Sequence, residues 1–406
     1  VAAPAYDLIL LGATGFTGRL VAEYLLERYG VDGELHWAIA GRSATKLETL
    51  RRELQGENPA RPLPTLVADN HDAESLAGLV AQTRVVCSTV GPYAQHGTLL
   101  VEACADSGTH YCDLTGEVPW VAANIAAFQE RAESSGARIV HCCGFDSIPS
   151  DLGNWFVQRE MQRRHDSTAT RVHGRVGKTR GGASGGTIAS LLGVLEEAQG
   201  NPRLRRQLRD KYLLYPAGEA PGPRVRDQAG VVYDPRFERW TSPFVMALIN
   251  ERVVRRSNAL LGFPWGRDFD YDESQLCRSR GQALVISAGM GGAMLAASTS
   301  PGRKLMQRFL PKPGEGPDEQ ARENGCFELF FHAEHPSDTA KDLRARVSAS
   351  RDPGYGATSR MLGEAAVCLA LDELAVDGGI WTPASALAEA LLPRLEANAG
   401  LQFTLL

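Results

Sequence analysis

The stretch LLGATGFTGRL, residues 10–20, sets Gly12, Gly15 and Gly18 three positions apart, directly after the apolar run YDLILL. A short apolar run that stops at a glycine reads as a buried strand. The segment that follows, FTGRLVAEYLLERY, carries Phe16, Leu20, Tyr24 and Leu25 at helical spacing. Strand, glycine turn and helix in that order bring bare backbone up to a pyrophosphate. Gly12 allows the tight turn, Gly15 admits the phosphates and Gly18 lets helix and sheet touch. Thr14, Phe16 and Thr17 complete the cradle, where the helix N-terminus presents N–H groups and a positive dipole end to the anion. Without a ligand the same glycines would be a structural turn.

Outward from this motif, the runs LHWAIAG, TLVAD, RVVCSTVG, HYCDL and ARIVHCCG alternate with helix-length segments as far as residue 144. Six strands joined by crossovers predict an α/β domain, a doubly wound parallel sheet with helices on both faces. The second strand ends in Gly41-Arg42-Ser43 and has no acid at its tip to hold a ribose 2′-OH. Arg42 can clasp a 2′-phosphate instead, with Ser43 and Lys46 as further donors. A charge-assisted bond of roughly 1.5–3 kcal/mol there predicts NADPH over NADH by roughly ten- to a hundredfold; the bland alternative is a solvated arginine. Asp69 and Asn70 close the third strand, where an adenine amino group would sit, although Asp69 serves equally well as a helix cap. Ser88, Thr89, Val90 and Gly91 close the fourth, at the nicotinamide end.

After the sixth strand, SIPSDLGNWFVQREMQRR predicts a helix with Ser147 near its N-cap and Pro149 in its first turn. It leads into a second α/β domain with a mixed or antiparallel sheet, whose strand candidates are residues 170–178, 326–336 and 342–352. A helix over 187–199 and two turn-rich loops lie between them. Beyond Gly354 two amphipathic helices follow. The expected division is 1–150 for dinucleotide binding, 151–350 for substrate and dimerisation, and 351–406 as helices packing back on the first domain.

A balance of 48 acidic against 43 basic residues, net charge -5, argues against nucleic acid as a partner. The eight cysteines have no CxxC spacing, and the nine histidines form no HxH or HExxH, so no metal is expected. Reduced thiols and the lack of a basic-then-apolar leader point to the cytoplasm. The charge-free stretch 281–298, followed by Arg303, Lys304, Arg308 and Lys312, reads as a buried helix or homodimer contact. Peripheral membrane contact through 281–312 is the alternative.

GATGFTG, AGRS, STVGPYAQHG, YCDLTGE and CCGFDSIPSD together make the chain resemble the saccharopine dehydrogenase-like oxidoreductases, and within them the trans-acting enoyl reductases of bacterial polyketide-lipid synthesis. The resemblance runs from about Tyr6 to Gln199 and resumes at 301–317 and 354–366. It implies a Rossmann domain followed by an α/β substrate domain, and leaves C=C and C=N reduction both open.

Hydride transfer needs a proton donor near the nicotinamide. No tyrosine has a lysine four residues on, which argues against short-chain ketoreductase chemistry. Tyr93, His96, Asp113, Thr115, Glu117, Asp146 and Ser147 lie at the carboxyl edges of strands four to six. Tyr93 and His96 are preferred, with Asp146 as the third catalytic candidate, while structural roles for each stay open. The resulting expectation is an NADPH-dependent reductase of a C=C bond in an acyl or lipid-like small molecule. The runner-up is imine reduction of the saccharopine type, using Arg175, Lys178 and Arg180 for substrate carboxylates. A third reading is a non-catalytic NADP(H) sensor. The glycine-rich loop 181–187 is a further anion-binding candidate, or a plain turn.

Overall fold

The computed structural model describes residues 4–181, 185–299, 301–303 and 316–406. The chain forms two units, one built from 1–145, 313–316 and 354–400, the other from 146–312, 317–353 and 401–406.

The first unit opens with β1 (Tyr6–Leu11), α1 (Phe16–Tyr29), β2 (Trp37–Gly41), α2 (Ala44–Gln55), β3 (Thr65–Val67), α3 (Ala73–Val80) and β4 (Thr83–Ser88). A single turn α4 (Tyr93–His96), α5 (Thr98–Ser107), β5 (His110–Asp113), α6 (Val118–Ser135) and β6 (Arg138–Val140) follow. These strands lie in the order β6-β5-β4-β1-β2-β3, all parallel. Burial on both faces explains the unbroken apolar run of β1, whose Leu8 to Leu11 are fully enclosed, whereas β3 at the edge leaves Val67 exposed. Leu11 pairs with Ala40 on one side and with Ser88 on the other, so β1, β2 and β4 end level. The Gly12 turn, Arg42 and the segment Thr89–Gly91 therefore leave the sheet at one edge, beside the point between β1 and β4 where the strand order reverses.

The second unit contains α7 (Ile148–His165), β7 (Arg171–Arg180), α8 (Gly185–Gly200), α9 (Pro202–Arg209), β8 (Val232–Asp234), β9 (Arg239–Ser242), α10 (Ala247–Leu260) and β10 (Asp270–Cys277). It continues with α11 (Arg280–Ala297), α12 (Glu319–Glu323), β11 (Cys326–Glu334) and β12 (Leu343–Ala349). The chain then returns to the first unit as α13 (Thr358–Leu371), β13 (Gly379–Trp381) and α14 (Pro383–Arg394). β13 extends the first sheet as a parallel seventh strand beside β6. The last strand, β14 (Leu401–Leu405), joins the second sheet, ordered β14-β12-β11-β7-β10-β9-β8. That sheet is mixed: β7 and β10 run parallel and the remaining neighbours antiparallel.

Three expectations change. The region 351–406 is not helical throughout, because Gln402 and Thr404 alternate with buried Leu401 and Phe403, a two-residue period that suits the edge strand β14. Helix α13 is enclosed on nearly every side, packed on α1 and on β1, β4 and β5, so it is a core helix and not an amphipathic one. Its buried Glu364 accepts hydrogen bonds from the hydroxyls of Tyr24 and of Tyr29 (2.6 Å) and from Asn398 (3.2 Å), with Arg394 at 3.6 Å. Helix α11, read as a buried helix or a homodimer contact, is not buried: only Ala283 and Ala297 are enclosed, and Leu284, Val285 and Leu295 stand exposed. Arg303 beyond it is buried against Glu196 (3.0 Å) and the Ala297 carbonyl, so it does not point to a lipid surface. Lys304, Arg308, Lys312 and the loop residues Gly182, Ala183 and Ser184 lie outside the described residues. Among the described residues no helix is long and apolar enough to cross a membrane.

Candidate functional site

The glycine turn is shaped by close approach. Gly12 has φ +88°, and a Cβ there would lie 2.7 Å from Val90 Cγ2 and 2.8 Å from Thr89 Oγ1. A Cβ on Gly18 would fall 2.2 Å from the Gly12 carbonyl oxygen. At Gly18 a side chain would displace backbone, and at Gly12 it would meet the Val90 and Thr89 side chains in a left-handed conformation that favours glycine. The Thr89 hydroxyl, 3.2 Å from both the Leu11 and the Gly12 carbonyl, ties the end of β4 to this turn. Thr14 and Gly15 are exposed, while Phe16 and Thr17 are half-buried, the Phe16 ring lying edge-on to Tyr355 at 4.7 Å.

The helix termini differ in a way that bears on the ligand. Ser43 caps α2 through Lys46 N–H (3.3 Å) and Asp72 caps α3 through Glu74 N–H (3.0 Å). The N-cap of α1 is Gly15, with no side-chain cap and no acid in the first turn. An anion at that end finds neither a competing carboxylate nor a capping hydroxyl. Exposed Arg42 stands at the tip of β2. The residues around this edge thus suit a dinucleotide: a turn with room for backbone only, an uncapped helix end, and an exposed arginine at the tip of β2.

Several candidate side chains have local duties. Asp69 accepts the His71 N–H (3.0 Å), and it is Asp72, not Asp69, that caps α3. Asn70 is buried and donates to the His96 carbonyl (3.1 Å), linking the loop after β3 to α4. Ser88 is buried; its carbonyl accepts the Tyr93 hydroxyl (3.0 Å) and its Oγ accepts Val90 N–H (3.4 Å). The peptide Gly91–Pro92 is cis. Tyr93 is 5% exposed, and burial and the Asp113 carboxylate push its phenol well above its usual range. Glu117 receives the Tyr93 and Ala94 N–H groups, both at 2.8 Å, and so anchors α4. Asp113 accepts from Thr115 N–H, Cys142 N–H, the Tyr111 hydroxyl and His141 Nδ1 (2.7 Å). His96 does not stand alone: its Nδ1 is 3.1 Å from Nε2 of His71.

Asp146 lies half-buried in the turn before α7, where burial raises its pKa to about 7. Ser147 donates to Asn250 (3.2 Å) instead of capping the helix it precedes, and Asn250 and Ser150 donate to Glu273 at 2.7 and 2.6 Å. Burial also lifts Glu273 to about 7. Arg175 is not available to a substrate carboxylate, being buried and paired with Asp234 (2.7 Å) and Asp272 (2.6 Å); Lys178 and Arg180 are exposed. Among the described residues no His, Cys, Asp and Glu set is arranged to hold a metal ion.

His71, His141, which pairs with Asp113, and Glu273 escape a reading by motif. His71 sits in a polar loop without pattern, and Glu273 lies in a strand, DYDESQLC, whose carboxylates hide its alternation.

The saccharopine dehydrogenase NADP-binding domain family matches residues 8–140. A Mycobacterium tuberculosis protein named provisionally as a trans-acting enoyl reductase is 42% identical over 408 residues, covering 97% of this chain and 96% of its own length. The chain belongs to the saccharopine dehydrogenase-like family, in its trans-acting enoyl reductase branch. A trans-acting enoyl reductase of Mycobacterium ulcerans is 34% identical over 411 residues, 96% of this chain and 95% of that one. Membership makes this saccharopine dehydrogenase-like chain an NADP-dependent oxidoreductase. Apo saccharopine dehydrogenase (L-Glu forming) from Saccharomyces cerevisiae superposes with a TM-score of 0.55 at 12% identity, covering 99% of this chain and 100% of that one, a likeness of fold alone.

Proposed function

We propose that the protein reduces a C=C bond of an acyl or polyketide-lipid type substrate, with NADPH as the hydride donor and Asp146 as the source of the proton. The acid–base half rests on the position of Asp146 beyond the carboxyl end of β6, in the turn before α7, where burial raises its carboxyl to about 7. The names of the relatives at 42% and 34% identity, trans-acting enoyl reductases, support reduction of a C=C bond. Bound NADPH supplies a hydride. In α,β-unsaturated acyl chemistry the hydride goes to the β-carbon, the electron pair moves onto the carbonyl, and the α-carbon then takes a proton. Asp146 gives that proton and is recharged from water.

This reading moves the donor away from the pair preferred on sequence. The Tyr93 hydroxyl is spent on the Ser88 carbonyl and its phenol is driven away from ionisation, which suits a wall residue. His96 is engaged with His71, and burial, His71 and Arg42 together lower its pKa. The glycine turn, Thr14, Phe16, Thr17 and the α1 terminus bind the pyrophosphate in this scheme. Arg42 takes the 2′-phosphate, Asp69 and Asn70 border the adenine, and Ser88 to Gly91 border the nicotinamide.

Imine reduction loses one of its three proposed carboxylate binders with the internal pairing of Arg175. The exposed apolar side chains of α11 suit contact with a second copy or with a lipid-bearing partner, which sedimentation and vesicle flotation distinguish. The seat of the cofactor is tested by Arg42→Ala. NADPH binding should weaken roughly ten- to a hundredfold and NADH binding should hardly change; equal weakening of both would remove the 2′-phosphate assignment.

A further inference from the structure

We propose that His71 and His96 join Arg42 as a proton-gated seat for the 2′-phosphate of NADP(H), and so set cofactor preference as a function of pH. The inference rests on the assignment of Arg42 made above. Gly41 pairs with Val67, and Ala68 N–H reaches the Gly41 carbonyl (3.1 Å), so Arg42 leaves β2 beside the loop that carries His71. Asn70, in that same loop, holds the carbonyl of His96. The two imidazoles then meet edge to face, centroids 5.0 Å apart, with Nδ1 of His96 3.1 Å from Nε2 of His71. Arg42 and His71 are exposed and His96 is half-buried, so a solute reaches the group.

A nitrogen-to-nitrogen contact of that length holds one proton. In the neutral pair one ring donates across the contact, which leaves one outward N–H and one bare outward nitrogen. A single added proton converts the bare nitrogen to N–H, keeps the contact, and gives the pair one positive charge with two outward donors. A second added proton would break the contact. The pair therefore takes up one proton, not two.

In the free protein, burial, His71 and Arg42 all depress His96, and Glu117 opposes them. The other charges near the pair are committed: the Glu117 carboxylate to Tyr93 and Ala94 N–H, Asp69 to the His71 N–H, and Asp72 to the cap of α3. A phosphate dianion at Arg42 reverses the balance and draws the proton in. The pair adds a donor that the glycine turn cannot supply, and one that arginine, which does not titrate, cannot switch.

The two arrangements differ in the sign of their pH dependence. A phosphate monoester completes its second ionisation near pH 6, so Arg42 alone gives NADPH an affinity that rises through pH 6 and then stays level. With the histidine pair, affinity falls by about tenfold between pH 6.5 and 8.5 as the shared charge is lost.

The test is fluorescence titration of NADPH and NADH from pH 5.5 to 8.5 against wild type, His71→Gln, His96→Gln and Arg42→Ala. Between pH 6.5 and 8.5 the preference for NADPH over NADH should fall in wild type and stay level in both histidine variants. A level or rising preference in wild type, or the same fall in the histidine variants, overturns the inference. Arg42→Ala reads the underlying assignment separately. If it weakens NADPH alone while wild type shows no fall with pH, only the histidine inference fails; if it weakens both cofactors equally, the seat itself fails. A measurement without variants uses calorimetry of wild type with 2′,5′-ADP in buffers of different ionisation enthalpy at pH 7.5. Uptake of about half a proton or more, absent with 5′-AMP, is expected, and no uptake would refute the seat.

Discussion

Asp146→Asn is a sharp perturbation because it removes the charge and keeps the shape. The wild-type carboxyl is raised from its ordinary 3.8 to about 7 by burial. Between pH 4 and 7 the folded chain keeps a proton that the unfolded chain has already released, so this group's contribution to stability falls as pH rises through that window. At about 1.4 kcal/mol for each tenfold in the proton equilibrium, the charged carboxyl costs about 4 kcal/mol at pH 8. Water at the half-buried residue brings this to roughly 2–4 kcal/mol. Asparagine never takes the charge. Urea unfolding of both proteins at pH 4, 6 and 8 should therefore give near-equal stability at pH 4 and a variant ahead by roughly 2–4 kcal/mol at pH 8. The shifted Glu273 is common to both proteins and cancels. In turnover the same substitution should lower kcat by about 10²–10⁴ and abolish the fall in rate above pH 7. A stability difference that does not change with pH would refute the buried, near-neutral carboxyl, and with it the argument for Asp146 as donor.

Gly18→Ala should abolish NADPH binding and lower stability by about 1–3 kcal/mol, since its methyl would sit 2.2 Å from the Gly12 carbonyl oxygen; cofactor fluorescence and a thermal melt read both. Tyr93→Phe should leave kcat within a few-fold and cost about 1 kcal/mol of stability through the lost bond to Ser88, whereas a loss comparable to that of Asp146→Asn would restore Tyr93 as donor. Glu364→Leu should destabilise the first unit by about 3–5 kcal/mol, because it strips Tyr24, Tyr29, Arg394 and Asn398 of their shared buried partner; chemical denaturation checks it.

The first sheet is legible because its strands are buried on both faces, so each appears as an apolar run between glycine or polar punctuation, and the crossover rule orders them. Its seventh strand, Gly379–Trp381, is only three residues long and has no neighbour in sequence, so nothing local marks it. The second sheet is harder. In β10 the charges of Asp270, Asp272 and Glu273 are satisfied by Arg255, by Arg175 and His173, and by Ser150 and Asn250, partners far away in sequence. A local window records only polarity there.

At the site, the glycine turn could be read from spacing because steric necessity fixes residue type. Which side chains are free cannot be read that way. Asn70, Ser88, Glu117 and Arg175 belong to residue types that do chemistry, yet each is committed to a partner at least five residues away or in another strand or loop. Asp146 is distinguished by its surroundings and not by its letter.

C=C reduction by NADPH is tested by following NADPH consumption by the purified protein, with mass spectrometry of the products. One set of reactions holds α,β-unsaturated acyl thioesters of increasing length; the other holds amino acids paired with aldehydes or 2-oxo acids. Loss of NADPH matched one to one by saturated thioester is expected in the first set, strongly slowed in Asp146→Asn. Turnover confined to the second set, with a secondary amine as product, would contradict it. So would tight NADPH binding with no consumption in either set.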